Sequence, residues 1–216
     1  MWFLPPLNEH VFFHPFRAYV AGPTTCGKTK LVENIIFNRQ NLIDKPIEKI
    51  VICYKAMQES YDNLKLLNIE VEFHEGLLDS SHFDPKINNL LILDDLMDEC
   101  KDSKEILKIF TVDSHHKNIS VFLISQNIYT KGKCAREINL NCSNMIIFKN
   151  PRDSVQISVL GRQMFPTKSK AFLEAFKDAT ANQHGYLFLD FTQKTPDNLR
   201  IQTNILDKER IIYTIN

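Results

Sequence analysis

Gly22-Pro23-Thr24-Thr25-Cys26-Gly27-Lys28-Thr29 sets two glycines, a lysine and a hydroxyl residue at the spacing G-x-x-x-x-G-K-[ST]. Glycine at those points lets the backbone curl so that successive N–H groups face a phosphate, and a helix starting there adds its positive end. Lys28 then reaches the β- and γ-phosphates, and Thr29 offers its hydroxyl to magnesium. Such a magnesium needs a hard oxygen opposite the loop. Leu90-Leu91-Ile92-Leu93-Asp94-Asp95 supplies one, because four aliphatic residues bury a strand and Asp94 emerges at its carboxyl end. Asp95 is placed to polarise an attacking water, with a cap on the next turn as the alternative and Glu99 as a stand-in base. A further apolar run, Ser120 to Ser125, ends in Gln126, the candidate to bridge a γ-phosphate and the lytic water; a polar turn is the alternative. The chemistry these residues imply is hydrolysis of ATP with Mg2+.

A strand must lead into the loop and a helix out of it, and the flanking residues agree. Short aliphatic runs predict strands over Ala18–Ala21, Lys49–Cys53, Glu70–Phe73, Leu90–Asp94, Ser120–Ser125 and Met145–Lys149. Amphipathic stretches predict helices over Lys28–Arg39, Ser103–Ser114, Ser154–Arg162 and Lys168–Ala179. This alternation implies an α/β fold with a mostly parallel sheet flanked by helices. Gly185–Phe191 and Leu199–Thr203 flank the turn-rich Thr195-Pro196-Asp197-Asn198 and predict a closing β-hairpin.

At 216 residues with 44% hydrophobic and 24% charged side chains, the chain suits one buried α/β domain over 1–216. Five cysteines without a C-x-x-C pair argue against a disulfide framework or a zinc site and for a reducing setting. The apolar opening Met1–Leu7 lacks a basic leader, and no run approaches the ~18–20 apolar residues of a membrane span. An intracellular protein, not secreted, is expected. Net charge is zero, yet 59–113 carries 14 acidic against 5 basic side chains and 115–177 carries 10 basic against 3 acidic. Adjacent His115 and His116 do not face one ligand and predict no metal site. Cys26, beside a helix start and Lys28, predicts a favoured thiolate. Phe12, Phe13 and Phe16 predict core packing, with a subunit contact as the alternative.

The three site elements stand in order with Leu93-Asp94-Asp95-Leu96-Met97, Ser114-His115-His116-Lys117-Asn118-Ile119-Ser120-Val121, Ser125-Gln126-Asn127 and Phe148-Lys149-Asn150-Pro151-Arg152-Asp153. Gln156-Ile157 and Leu160-Gly161-Arg162-Gln163 follow. Over most of its length the chain resembles the packaging ATPases of the FtsK–HerA superfamily found in Polinton/Maverick elements, adintoviruses and virophages, and more distantly in poxviruses and giant viruses. The resemblance implies a P-loop NTPase of the additional-strand, catalytic-glutamate-type division. It implies a homo-oligomeric ring that drives double-stranded DNA into a preformed capsid, with a capsid or portal protein as partner, in host cytoplasm or nucleus or transiently at the assembling virion. Two positions depart from the pattern. Cys26 stands where family loops often carry Gly, Ser or another small residue, and Lys117 stands where Arg is expected, without arginine's planar fork.

A ring motor completes each site with an arginine from the neighbouring subunit. The candidates are Arg136, expected near a sheet edge facing the next protomer, then Arg152, and Arg162. Lys131, Lys133, Lys149, Lys168 and Lys170 are candidates to line a DNA channel through phosphate contacts, with steep salt dependence and little sequence preference. Other readings are a different DNA translocase or helicase, a P-loop small-molecule kinase, and a scaffold that binds ATP without turning it over.

Overall fold

The computed structural model describes residues 10–207 and 209–215, with the backbone alone for 59 and 60. The apolar opening Met1–Leu7 lies outside the described residues. Among them, nine strands join in one sheet: β1 (Arg17–Ala21), β2 (Lys49–Tyr54), β3 (Glu70–Glu75), β4 (Asn89–Asp94), β5 (Ile119–Ser125), β6 (Asn144–Phe148), β7 (Tyr186–Asp190), β8 (Ile201–Thr203) and β9 (Ile211–Ile212). The order across the sheet is β3-β2-β4-β5-β1-β6-β7-β8-β9. β1 to β6 pair in parallel, and β7 to β9 close the far side antiparallel. The predicted hairpin is therefore present as β7 and β8, extended by β9.

Central strands are buried on both faces, which is why their sequences read as unbroken aliphatic runs rather than alternations. β4 and β5 are buried at every residue. Alternate side chains still go to different cores. Tyr19, Val51, Leu91, Leu93, Val121, Leu123 and Ile147 join one cluster, while Val20, Ile50, Leu90, Ile92, Phe122 and Ile124 join the other. Helices α1 (Lys28–Phe37) and α2 (Arg39–Leu42) pack on the second face with Phe12 and Phe16. The other helices are α3 (Met97–Cys100), α4 (Lys104–Lys108), α5 (Ser114–His116), α6 (Ala135–Leu140), α7 (Val155–Met164) and α8 (Ser169–Ala179); residues of α3, α4, α6, α7 and α8 build the first face. Phe12 and Phe16 are core as expected, whereas Phe13 is half-buried with the Lys194 ammonium 5.5 Å above its ring.

The predicted helix over Ser103–Ser114 is helical but not uniform. Ser103 caps α4 by accepting the Ile106 N–H at 3.1 Å, and Ile109–Asp113 forms a π-helical turn before α5. The wider turn rolls Ile109, Phe110 and Asp113 inward together. Asp113 accepts the buried Ser80 hydroxyl and pairs with Lys108 at 3.4 Å. The acidic 59–113 segment supplies β3 and β4 on one flank of the sheet, and the basic 115–177 segment supplies β5 and β6 toward the other.

Candidate nucleotide site

Register brings the predicted residues to one end of the sheet. Ala21 lies level with Ser125 and Ile147, and Asp94 lies level with Tyr54 and Ile124. The loop after β1, the carboxylates after β4 and the glutamine after β5 therefore emerge side by side. β5 sits between β1 and β4, so loop strand and carboxylate strand stand two strand spacings apart, about 9–10 Å. Thr29, in the first turn of α1, closes this gap: its hydroxyl donates to Asp94 Oδ2 at 3.1 Å.

The loop needs its glycines. A Cβ on Gly22 would lie 2.7 Å from both Cys26 Sγ and Phe148 Cβ. Gly27 has φ +104°, a left-handed value, as it turns the chain into α1. Lys28 Nζ donates to the carbonyls of Gly22 at 2.7 Å and Pro23 at 2.9 Å, which keeps the ammonium across the mouth of the loop. A cavity of about 360 Å³ is lined by Thr24, Thr25, Gly27 to Lys30, Gln58, Asp94, Asp95 and Gln126. Pro23, half-buried, contributes its carbonyl.

Cys26 corrects an expectation. Its side chain packs toward the second core rather than toward the cavity. Burial pushes the thiol above its ordinary range, and the lowering effect of Lys28 is smaller. The thiolate is disfavoured, because desolvation in this half-buried position outweighs one nearby cation.

Asp94 is 4% exposed and Asp95 is exposed, although they are neighbours. Asp95 adopts φ +57°, a left-handed conformation that aspartate tolerates better than most residues and that turns its side chain out of the strand. Its Oδ1 accepts Gln126 Nε2 at 3.3 Å, so base candidate and sensor candidate meet. Burial raises the Asp94 pKa, opposed by hydrogen bonds from Tyr61 and Thr29. Among the described residues no group of three or more His, Cys, Asp and Glu gathers as a metal site. The hydroxyl of Thr29 and the carboxylate of Asp94 are nonetheless the hard-oxygen pair that fits magnesium, an ion that keeps most of its water.

Three residues at the site left no signal in the sequence, and a fourth, Gln156, stood there only among the residues of the resemblance. Gln58 Nε2 donates to Asp94 Oδ2 at 3.1 Å, and the buried Tyr61 hydroxyl donates to the same oxygen. Both come from the irregular segment after β2, whose pattern does not mark them. His184 Nδ1 lies 2.9 Å from the Cys26 carbonyl and its ring covers Gly27. Gln156 Oε1 accepts the N–H groups of Ile128 at 2.8 Å and Tyr129 at 3.0 Å, and its Nε2 donates to Asp153 Oδ2 at 2.6 Å. It thereby ties α7 to the segment that carries Gln126.

Other predicted residues are dispersed. Arg136 is exposed in the first turn of α6, but β5 and β6 on either side of that helix are interior strands. It does not stand at a sheet edge: β5 lies between β4 and β1, β7 to β9 lie beyond β6, and the edges are β3 and β9. Arg152 is exposed just past the carboxyl end of β6, the nucleotide end. Arg162 lies in the last turn of α7, which runs away from that end. The five lysines divide likewise: Lys131, Lys133 and Lys149 follow β5 and β6 at the nucleotide end, while Lys168 and Lys170 lie at the far end, where α7 turns back into α8. Lys117, also far from the loop at the start of β5, donates to the Ser80 carbonyl at 2.7 Å and hydroxyl at 3.1 Å. Among the described residues no helix is long and apolar enough to cross a membrane.

No family model matches the chain, and no curated protein does. Solved structures do match. The genome packaging NTPase B204 from Sulfolobus turreted icosahedral virus 2, in complex with ATP-gammaS, is 14% identical with a TM-score of 0.58, over 88% of this chain and 96% of that one. The DNA-packaging ATPase B204 from Sulfolobus Turreted Icosahedral Virus gives a TM-score of 0.59 at 14% identity, with the same coverage. The cytoplasmic domain of the type VII secretion ATPase EccC from Thermomonospora curvata gives 0.56 at 12% identity, over 93% of this chain and 25% of that one. At these identities the likeness is one of fold: the chain has the P-loop NTPase fold, with a mostly parallel sheet flanked by helices.

Proposed function

We propose that this chain is a magnesium-dependent ATP hydrolase that translocates double-stranded DNA, packaging the genome of a virus or virus-like mobile element into a capsid. The observation that carries the hydrolase reading is the meeting of Thr29 with Asp94 and of Asp95 with Gln126 beside one phosphate loop. The loop amides and Lys28 hold the phosphates; Thr29 and Asp94 hold magnesium, which supplies charge neutralisation when bound. Asp95 accepts the proton of the attacking water, and Gln126 orients that water toward the γ-phosphate.

DNA packaging rests on the FtsK–HerA resemblance of the Polinton, adintovirus and virophage type, together with the likeness of fold to the packaging NTPase B204. In this reading copies of the chain form a ring, DNA passes through it on phosphate contacts, and Arg136 or Arg152 reaches the neighbour's site. Lys131, Lys133 and Lys149, at the nucleotide end, are the channel lysines this reading favours. The motor works at a capsid or portal inside the host cell.

ATP hydrolysis measured with and without double-stranded DNA tests the proposal. A severalfold rise with DNA, with DNA affinity falling steeply as salt increases, is expected. Turnover that ignores DNA and needs a small-molecule acceptor overturns it in favour of a kinase, and binding without turnover in favour of a scaffold.

A further inference from the structure

Asp94 is embedded in a donor shell that the phosphate-loop pattern does not supply. Its Oδ2 atom receives the Thr29 hydroxyl at 3.1 Å, the Gln58 amide at 3.1 Å and the Tyr61 hydroxyl. Gln58 immediately precedes the 3-10 turn of residues 59–66, and Tyr61 lies within it. The Tyr61 ring is 1% exposed and packs 6.4 Å from Tyr54 and 6.2 Å from Phe73, centroid to centroid, so its hydroxyl has little freedom to leave. Leu64, from the same turn, is fully buried in the core beneath α1. Gln58, by contrast, is exposed and lines the phosphate cavity.

A buried carboxylate with one oxygen held by three donors cannot rotate without leaving polar groups unpaired. Outer partners of this kind orient a metal-bound group, and their loss typically weakens metal affinity by about 10- to 100-fold. We infer that Tyr61 and Gln58 are positioning residues for the metal-side carboxylate, and that the segment after β2 thereby presets the site for a magnesium-bound nucleoside triphosphate. The inference rests on the proposed role of Asp94.

Binding of a fluorescent ATP analogue to the full chain, titrated with Mg2+ and repeated in EDTA, tests it. Tyr61→Phe keeps the ring packing and removes one donor. It is expected to raise the magnesium concentration at half-maximal enhancement about 10-fold, with affinity in EDTA unchanged. Gln58→Ala, at an exposed position where folding is not at stake, is expected to shift the same midpoint in the same direction. A purely structural Tyr61 would lower the unfolding midpoint and leave the magnesium midpoint in place. If wild type responds to magnesium and both variants respond equally, this inference alone falls. If wild type shows no magnesium enhancement, the reading of Asp94 falls and takes the inference with it.

Discussion

The Thr29 hydroxyl donates to the Asp94 carboxylate across 3.1 Å, joining residues 65 positions apart. One comes from the first turn of α1 and the other from the end of β4, and β5 lies between their strands. In the proposed reading, the pair marks where loop chemistry and carboxylate chemistry act on one ligand.

Asp95 and Gln126 are separable from binding. Asp95→Asn is expected to lower the rate of ATP hydrolysis by about 10²- to 10⁴-fold while nucleotide affinity is retained. Gln126→Ala, which removes the donor 3.3 Å from Asp95, lowers the rate less. Lys28→Ala is expected to abolish binding of the nucleotide itself, read in the same binding assay. Equal hydrolysis by Asp95→Asn and wild type would move the base elsewhere, with Glu99 next to be tested.

Gly22 has no room for a methyl group. Gly22→Ala should destabilise the fold by about 1–3 kcal/mol in urea unfolding, since its Cβ meets Cys26 Sγ and Phe148 Cβ at 2.7 Å. Adding Cys26→Ala should recover only part of the loss, because the Phe148 Cβ is fixed close to its backbone. Strict additivity in the double-mutant cycle would mean the clash is relieved in another way.

The Cys26 thiol should react slowly. Burial raises its pKa, and the thiolate is the nucleophile, so alkylation at pH 7.5 is expected to be slower than for the same cysteine in the urea-unfolded chain. A rate equal to or above the unfolded value would restore the activated thiol that the helix start and Lys28 suggest.

His14 is expected to make the fold acid-sensitive. It is buried, its Nδ1 lies 2.6 Å from Ser120 Oγ, and burial first and Lys45 second push its pKa down to about 4, with Asp44 opposing. Below the ordinary value of 6.5 the unfolded chain takes up a proton that the folded chain refuses until about pH 4. Stability therefore falls as pH drops from 6.5 to 4, by about 2 kcal/mol at pH 5 from this group. His14→Gln should remove about that much of the loss between pH 7 and pH 5 in denaturant titrations; an unchanged pH slope would assign the sensitivity to other groups.

For the neighbour's arginine, mixing decides. Arg136→Ala subunits mixed with Lys28→Ala subunits should hydrolyse ATP faster than either alone if Arg136 acts across an interface, and the same assay applies to Arg152. Activity no better than chance mixing, with normal turnover by Arg136→Ala alone, removes Arg136.

The phosphate loop and most strands were legible because their causes are local. Eight consecutive residues specify the Gly22–Thr29 turn, and a four-residue aliphatic run such as Leu90–Leu93 is buried wherever its strand lies between two layers of helix. The six parallel strands differ from the expected ranges by at most two residues at an end.

Relations between distant segments were not legible. Nothing around Tyr61 reveals that it meets Asp94, because that contact depends on β2 lying beside β4 and on a turn without periodicity. The chain neighbours of Cys26, a helix start and Lys28, favour its thiolate, yet Phe148 and the core beneath the loop set its desolvation. Arg136 follows a strand, which sets it near an edge only where that strand is one; the strand order instead places it beside the interior strands β5 and β6. Spacing of residue types thus determined the chemistry available to this protein, while packing decided which groups are dry, which are held, and which face one another.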